Sequence, residues 1–586
     1  MFLAASSDAC AKTMYLNTGG SSLWEKDNAN KFAVWYWHGS NQGEWSAWMT
    51  RAEGNVWQTS VSEACDHVIF CRFDNSMSTP DWGDNKVWNK SADLEISSGQ
   101  NLYTVTDWEN GTWSVYGEEP GGGKEPVTPT DYSTAVPSQC EDVMLQAFYW
   151  MSFRDDRGFG NTKWATLTGQ ASEIGTYFDL VWLPPSHEPK DEMGYIASCY
   201  STQSTGGTFG KRNALDALIA ALHTNGVRVI ADIVINHCGN NNSACNYNYL
   251  NFGSFGTFQP EESWMTSDDE GVSRHGCSGG SNADDGQNTG FANYEAARDW
   301  DHQNKKVQNM CKAYLKWMKA EILYDGFRYD YAGGFETSHI NDYNKEAKPY
   351  FSVMEYWYDN SASVIKNRID DAGKNTLAFD FPGRITVFKN GIAKGSYDNC
   401  KSAGLRGQGY SKYAVTFIDN HDTFQRTNTT SDILDKTDGS SINNKSVILQ
   451  CNAYLLSMPG VPCVFYPHWY KYKAEIKKMI EARKKAGIHS ESAVTEESGN
   501  GYYRATIQGK YGSVKLMLGS AASDAAPAGY TEAIKDSGFA MYYTGNSSWA
   551  VEQVNTNAKS EKFLKDGQLF IRCGEKIYDA QGRIVK

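Results

Sequence analysis

Residues 326–335 read GFRYDYAGGF, where Phe327, Tyr329 and Tyr331 alternate with Arg328 and Asp330, so both charges share one face of a strand. A charge pair on an inward face is costly unless it is fully matched or performs chemistry. Three other apolar runs end in the same way: DIVINH in Asp232, Asn236 and His237, VMEYW in Glu355, and FIDNHD in Asp419, His421 and Asp422. Carboxylates, histidines and an arginine are the groups that nucleophilic and acid–base catalysis draws on. They form one site only if these strands lie side by side with their C-terminal ends together.

The pattern along the chain supplies such strands. VMLQAFYW, FDLVWLPP, VRVIADIVINH, GFRYDY, YFSVMEYW, TLAFDF, YAVTFIDNHD and VPCVFYPHWY alternate with helical stretches. In NKKVQNMCKAYLKWMKAEIL, Val307, Met310, Cys311, Tyr314, Leu315 and Met318 recur at helical spacing. Strands and helices alternating in this way predict an α/β protein with a (β/α)8 TIM barrel, whose site forms at the C-terminal strand ends. The barrel is expected over 132–486. Its connection after the third strand, about 238–298, is rich in Asn, Gly, Ser and Asp and reads as a functional insertion domain.

Residues 118–131, EEPGGGKEPVTPTD, have linker composition. Upstream, over 1–117, short alternating runs such as KFAVWYWHG, DHVIFCRF and NLYTVTDW predict an all-β sandwich. Short strands return over 487–586 and predict a second β-sandwich.

Composition narrows the functional classes. The net charge is −14, with no basic cluster, which argues against nucleic acid and anionic membranes. With 19 Trp and 34 Tyr the chain is rich in flat, amphipathic rings that suit sugar faces as well as cores. Thirteen cysteines cannot all pair and show no metal-binding CxxC spacing; Cys65 and Cys71, Cys238 and Cys245, and Cys451 and Cys463 are close in sequence. No apolar stretch reads as a membrane span, because VILQCNAYLLSMPGVPCVFY is interrupted by polar residues and prolines and reads as a helix followed by a strand. MFLAASSDAC lacks a basic start and has a very short apolar core, so it reads not as a complete signal peptide but as compatible with the remainder of one.

DIVINH, GFRYDYAGG, VMEYW and FIDNHD, in this order, resemble the four signatures of the alpha-amylase family, glycoside hydrolase family 13. WLPPSHEPKDEMGYIASCY and GVPCVFYPHW resemble its plant-type branch. The resemblance implies retaining hydrolysis of α-glucosidic bonds, with Asp330 as nucleophile, Glu355 as general acid/base and Asp422 as transition-state stabiliser. The residue environments agree with these roles. Arg328 is a positive neighbour for Asp330, and the apolar surroundings of Glu355 (Phe351, Val353, Met354, Tyr356, Trp357) favour its protonated form. By the same resemblance His237 and His421 contact sugar hydroxyls at the cleaved unit, and Tyr195 forms an aromatic platform beneath it.

The family further implies a structural Ca2+ between barrel and insertion, held by Asn236, Asn288, Asp299 and the backbone carbonyl of Gly334. Asn288 stands where many relatives carry an acid, and Gly333 where many carry Lys or Arg. MYLNTGG, FAVWYWHG, EWSAWMT and NLYTVTDW resemble starch-binding modules of carbohydrate-binding module family 26. Trp35 and Trp37 on one strand face are candidates for stacking on glucose or for the module's core. The expected partner is an α-glucan polysaccharide (starch, glycogen or maltooligosaccharides), worked on by a monomer. A polymer that does not cross membranes places the enzyme outside the cell, secreted or at the cell surface. Endo-acting α-1,4 hydrolysis leads, but α-1,6 debranching or transglycosylation shares the four signatures. A non-catalytic starch-binding protein would be expected to have lost one of the three acids.

Overall fold

The computed structural model describes residues 11–545 apart from 21–22, 63, 84–85, 97–99, 115–123, 201–206, 240–246, 269–278, 284, 287–296 and 425–443, together with the strands Ser560–Lys565, Gln568–Cys573 and Lys576–Asp579. Eight parallel strands close into a barrel in chain order: β1 Met144–Gln146, β2 Leu180–Trp182, β3 Arg228–Ile233, β4 Gly326–Tyr329, β5 Phe351–Met354, β6 Leu377–Phe379, β7 Ala414–Phe417 and β8 Val461–Phe465. Strand β8 pairs back onto β1, with Val464 opposite Leu145. Each strand lies within one of the eight runs read from the sequence. They read as near-continuous apolar runs because helices cover their outer face and the packed barrel interior their inner one.

The helices follow from periodicity and capping. Lys305–Ala320 buries Val307, Met310, Cys311, Tyr314, Leu315 and Met318, and the Asn304 side chain caps its start by accepting from Lys306 N. The run from Val447 onward is a helix, Lys445–Ser457, followed by β8.

The insertion is closed at its neck by a short antiparallel pair, His237–Cys238 with Arg298–Asp299, in which His237 lies opposite Asp299. This pairing returns the excursion to the barrel end at which β3 stops.

The segment with linker composition is not free over its second half. Lys124 Nζ lies 2.8 Å from Asp179 Oδ1, Val127 N donates to His223 O at 2.9 Å, and Lys319 Nζ lies 2.6 Å from Asp131 Oδ1. Residues 124–131 thus run as a strap over the barrel without regular secondary structure. Composition suggested a solvated tether; the strap is held because its two end charges meet opposite charges on barrel elements.

The N-terminal region forms two facing sheets. Met14, Leu16, Trp57, Val61, Tyr103 and Val105 from one pack on Phe32, Val34, Val68 and Phe70 from the other. Trp35 and Trp37 point away from this core, to the outer face of the strand Phe32–Trp37, where they cover Ala33, Ile69, Cys71 and Phe73. The C-terminal region contains a five-stranded antiparallel sheet over Ala493–Tyr543 and a three-stranded one over Ser560–Asp579. Among the described residues no helix is long and apolar enough to cross a membrane, and Cys65, Cys71, Cys238, Cys451 and Cys463 are buried and free. Cys245 lies outside the described residues.

Candidate active site

Register delivers the first charges. Asp232 on β3 is the ladder partner of Arg328 on β4. Arg328 is fully buried and meets three carboxylates: Nη1 lies 2.8 Å from Asp232 Oδ1 and 2.6 Å from Asp330 Oδ1, and Nη2 lies 2.8 Å from Glu355 Oε1. The contact to Glu355 is close but not aligned as a directed hydrogen bond. Just beyond the strands, Asp330 N donates to Ile233 O at 3.0 Å and Glu355 N to Tyr329 O at 2.9 Å, so the ladder continues to these two acids. Tyr331 then takes φ +46°, a left-handed conformation unusual for a non-glycine residue, and aims its N–H at Glu355 Oε2, 3.1 Å away.

One guanidinium cannot balance three buried carboxylates, so a proton is retained among them. Burial, reinforced by the charges of Asp330 and Asp422, pushes the Glu355 carboxyl up to about 8 against the opposing pull of Arg328. Burial also raises Asp232, with Arg328 opposing and Asp330 adding to the rise. A protonated Glu355 at neutral pH can donate a proton, while Asp330, gripped by Arg328, is placed to accept a bond.

The other strand ends close in through aromatic rings. Tyr195 donates its hydroxyl to Asp232 Oδ2 at 2.9 Å, and its carbonyl accepts from His237 Nε2 at 2.7 Å. Its ring lies parallel to His421 at 5.0 Å and to Trp150 at 6.2 Å. His421 reaches Asp422 Oδ2 with Nε2 at 3.1 Å and Gln146 Nε2 with Nδ1 at 3.0 Å. The Asn420 side chain accepts from Asp422 N and Thr423 N and thereby turns the loop that carries Asp422.

Asp232, His237, Arg328, Asp330, Glu355, Tyr195, His421 and Asp422 are therefore brought to one end of the barrel. Sequence reasoning assigned no role to Asp232, Gln146, Trp150 or Trp182, which donates from Nε1 to Asp232 at 3.1 Å. Asp232 had a signal, since it is a charge inside the apolar run VRVIADIVINH; Trp150 had none, because its neighbours come from other strands.

Of the residues nominated for calcium, Asn236, Asp299 and Gly334 are described and Asn288 is not. Asn236 Nδ2 donates to Asp299 Oδ1 at 3.0 Å, while Asn236 Oδ1 is buried and makes no hydrogen bond. A Cβ on Gly334 would lie 2.0 Å from that oxygen, so only glycine allows this approach. An orphaned amide oxygen on a side chain hydrogen-bonded to a carboxylate, with the Gly334 backbone packed close to it, is a hard-oxygen environment and fits Ca2+. No cluster of three or more His, Cys, Asp or Glu that could hold a metal occurs among the described residues.

A closed parallel barrel with paired acids at its C-terminal mouth is the architecture of a barrel glycoside hydrolase. The profile "Alpha amylase, catalytic domain" matches residues 148–377. The chain is 28% identical over 403 residues to "Probable alpha-amylase 2" of Arabidopsis thaliana, covering 65% of this chain and 89% of that one. It is 29% identical over 398 residues to "Alpha-amylase 3, chloroplastic" of the same plant, covering 63% of this chain but spanning only 40% of that protein. "Alpha-amylase" of Bacillus licheniformis is 23% identical over 406 residues, 60% of this chain and 76% of that one. An Anoxybacillus alpha-amylase crystal structure shares the fold with a TM-score of 0.51 at 15% identity, over 70% of this chain and 99% of that one. Residues 148–377 of this chain thus match an alpha-amylase catalytic domain.

Proposed function

We propose that this protein is a retaining, endo-acting α-amylase that hydrolyses α-1,4-glucosidic bonds of starch, glycogen and maltooligosaccharides. The observation that carries the reading is the shared grip of Arg328 on Asp330 and Glu355, which sets two carboxyl groups of opposite task on one guanidinium. Retaining hydrolysis needs two carboxyls about 5–5.5 Å apart, whereas inversion needs about 6.5–9.5 Å to admit a water between them.

In this reading Asp330 attacks the anomeric carbon while Glu355 protonates the departing glycosidic oxygen, leaving a glycosyl ester on Asp330. Glu355, now ionised, takes a proton from water, and that water opens the ester with net retention. Asp422 supports the positive charge that develops on the sugar ring in both steps. Tyr195 and Trp150 offer ring faces at this end, and His237 and His421 offer imidazoles beside them. Calcium, when held by Asn236, Asp299 and the Gly334 carbonyl, would tie the insertion to the barrel. The outer-face tryptophans of the N-terminal region, Trp35 and Trp37 among them, would hold polymer near the mouth. A polymer substrate fits an extracellular or cell-surface enzyme.

The test is to incubate the protein with starch, pullulan and a short maltodextrin and to separate the products over time. Rapid viscosity loss with mixed maltooligosaccharides supports endo-hydrolysis, and release of debranched linear chains would overturn it. Asp330→Asn should abolish turnover while starch binding survives.

A further inference from the structure

The hairpin that presents Tyr195 is organised around one acid. It lies between the short strands Glu188–Pro189 and Ala197–Cys199 and is closed by Lys190 N donating to Ile196 O at 2.8 Å. Inside it the Asp191 carboxylate accepts four consecutive backbone N–H groups: Oδ2 from Met193, Gly194 and Tyr195, each at 3.2 Å, and Oδ1 from Ile196 at 2.7 Å. Gly194 takes φ +99°, and a Cβ there would lie 2.9 Å from Pro185 Cβ, so the turn cannot relax around a larger residue. The chain has little freedom here except through Asp191.

What this knuckle holds reaches several parts of the site. The Tyr195 hydroxyl donates to Asp232, which in turn is paired with Arg328. The Tyr195 carbonyl accepts from His237, and its ring lies against His421. Met193 accepts from Met151 N through its sulfur at 3.0 Å, in the residue after Trp150.

We infer that Asp191 is a positioning residue: by collecting the N–H groups of 193–196 it fixes Tyr195, and through it the relative placement of Asp232, His237 and His421. It touches none of the proposed reacting atoms itself. A loop ordered by one carboxylate loses its geometry when that acceptor goes, because four N–H groups must then find other partners. The inference rests on the proposed reading of the site, since its effect is read as glucan turnover.

The experiment is a double-mutant cycle on maltoheptaose hydrolysis by the full chain. Asp191→Ala should lower kcat/KM by about 10- to 100-fold, the scale expected from small misplacement of reacting groups. In a Tyr195→Ala background, the same substitution should change kcat/KM little further, because the residue it positions is already gone. Asp191→Asn keeps an acceptor oxygen and should fall between wild type and Asp191→Ala; it also serves if Asp191→Ala fails to fold. Additive losses, or an unchanged kcat/KM in a folded Asp191→Ala or Asp191→Asn variant, would overturn the inference. Failure of the active-site reading is separate: it would appear as full activity in Asp330→Asn.

Discussion

Arg328 Nη1 lies 2.6 Å from Asp330 Oδ1, and the same guanidinium also holds Asp232 and Glu355. Removing it leaves three buried acids without a countercharge. Arg328→Leu should therefore destabilise the fold by about 3–5 kcal/mol, the cost of breaking a buried ion pair by removing one partner. Arg328→Lys keeps the charge but not the fork that spans several carboxylates, so it should fold better yet remain strongly impaired. Thermal melts beside kcat measurements check both, and an active Arg328→Leu enzyme would contradict the arrangement.

The pH–rate profile should show an alkaline limb set by Glu355, whose carboxyl is pushed up to about 8 by burial and by Asp330 and Asp422. In the proposed mechanism Glu355 acts as the protonated acid, so kcat should fall as pH rises through that value. Replacing Asp422 by Asn removes one of the charges that raise it. The alkaline limb of the residual activity should then move to lower pH; a shift to higher pH would refute the assignment.

Stability carries the same signature with a definite sign. The folded carboxyl of Glu355 binds its proton more tightly than the unfolded one, so the native state loses stability as pH rises from the ordinary carboxylate range toward about 8. Glu355→Gln removes this loss. Its melting temperature relative to wild type should rise between pH 5 and pH 8, as calorimetry across that window would reveal.

Gly334→Ala would press a methyl group onto Asn236 Oδ1, 2.0 Å from the position the new carbon would take. The variant should melt lower than wild type. If calcium binds there, chelation should lower the wild-type melting temperature clearly and that of Gly334→Ala much less.

On the outer face of the N-terminal region, Trp35 meets Trp45 at 5.1 Å and Trp82 at 5.6 Å, and Trp37 stacks on His67 at 5.2 Å. Removing Trp37 should weaken adsorption to starch granules while leaving kcat on maltotriose-sized substrates unchanged. Sedimentation with granules, run beside a soluble assay, separates the two effects.

The sequence by itself determined the eight strands of the barrel, because strands buried on both faces must be apolar along their length and the helices between them must carry one apolar stripe. It also determined which acids stand at strand ends, since a charge closing an apolar run has nowhere else to lie. It did not determine the company those acids keep. That Asp232 shares Arg328 with Asp330 and Glu355 depends on the register between β3, β4 and β5, of which the β3–β4 pairing spans 96 residues of chain. Whether Trp35 and Trp37 face the module's core or its surface was equally open from alternation, which gives two faces without saying which one a second sheet covers. The strap at 124–131 and the Asp191 knuckle were invisible for a related reason. Their partners come only from the tertiary fold, because ion pairs and N–H acceptors are properties of distance in space, and sequence reports only distance along the chain.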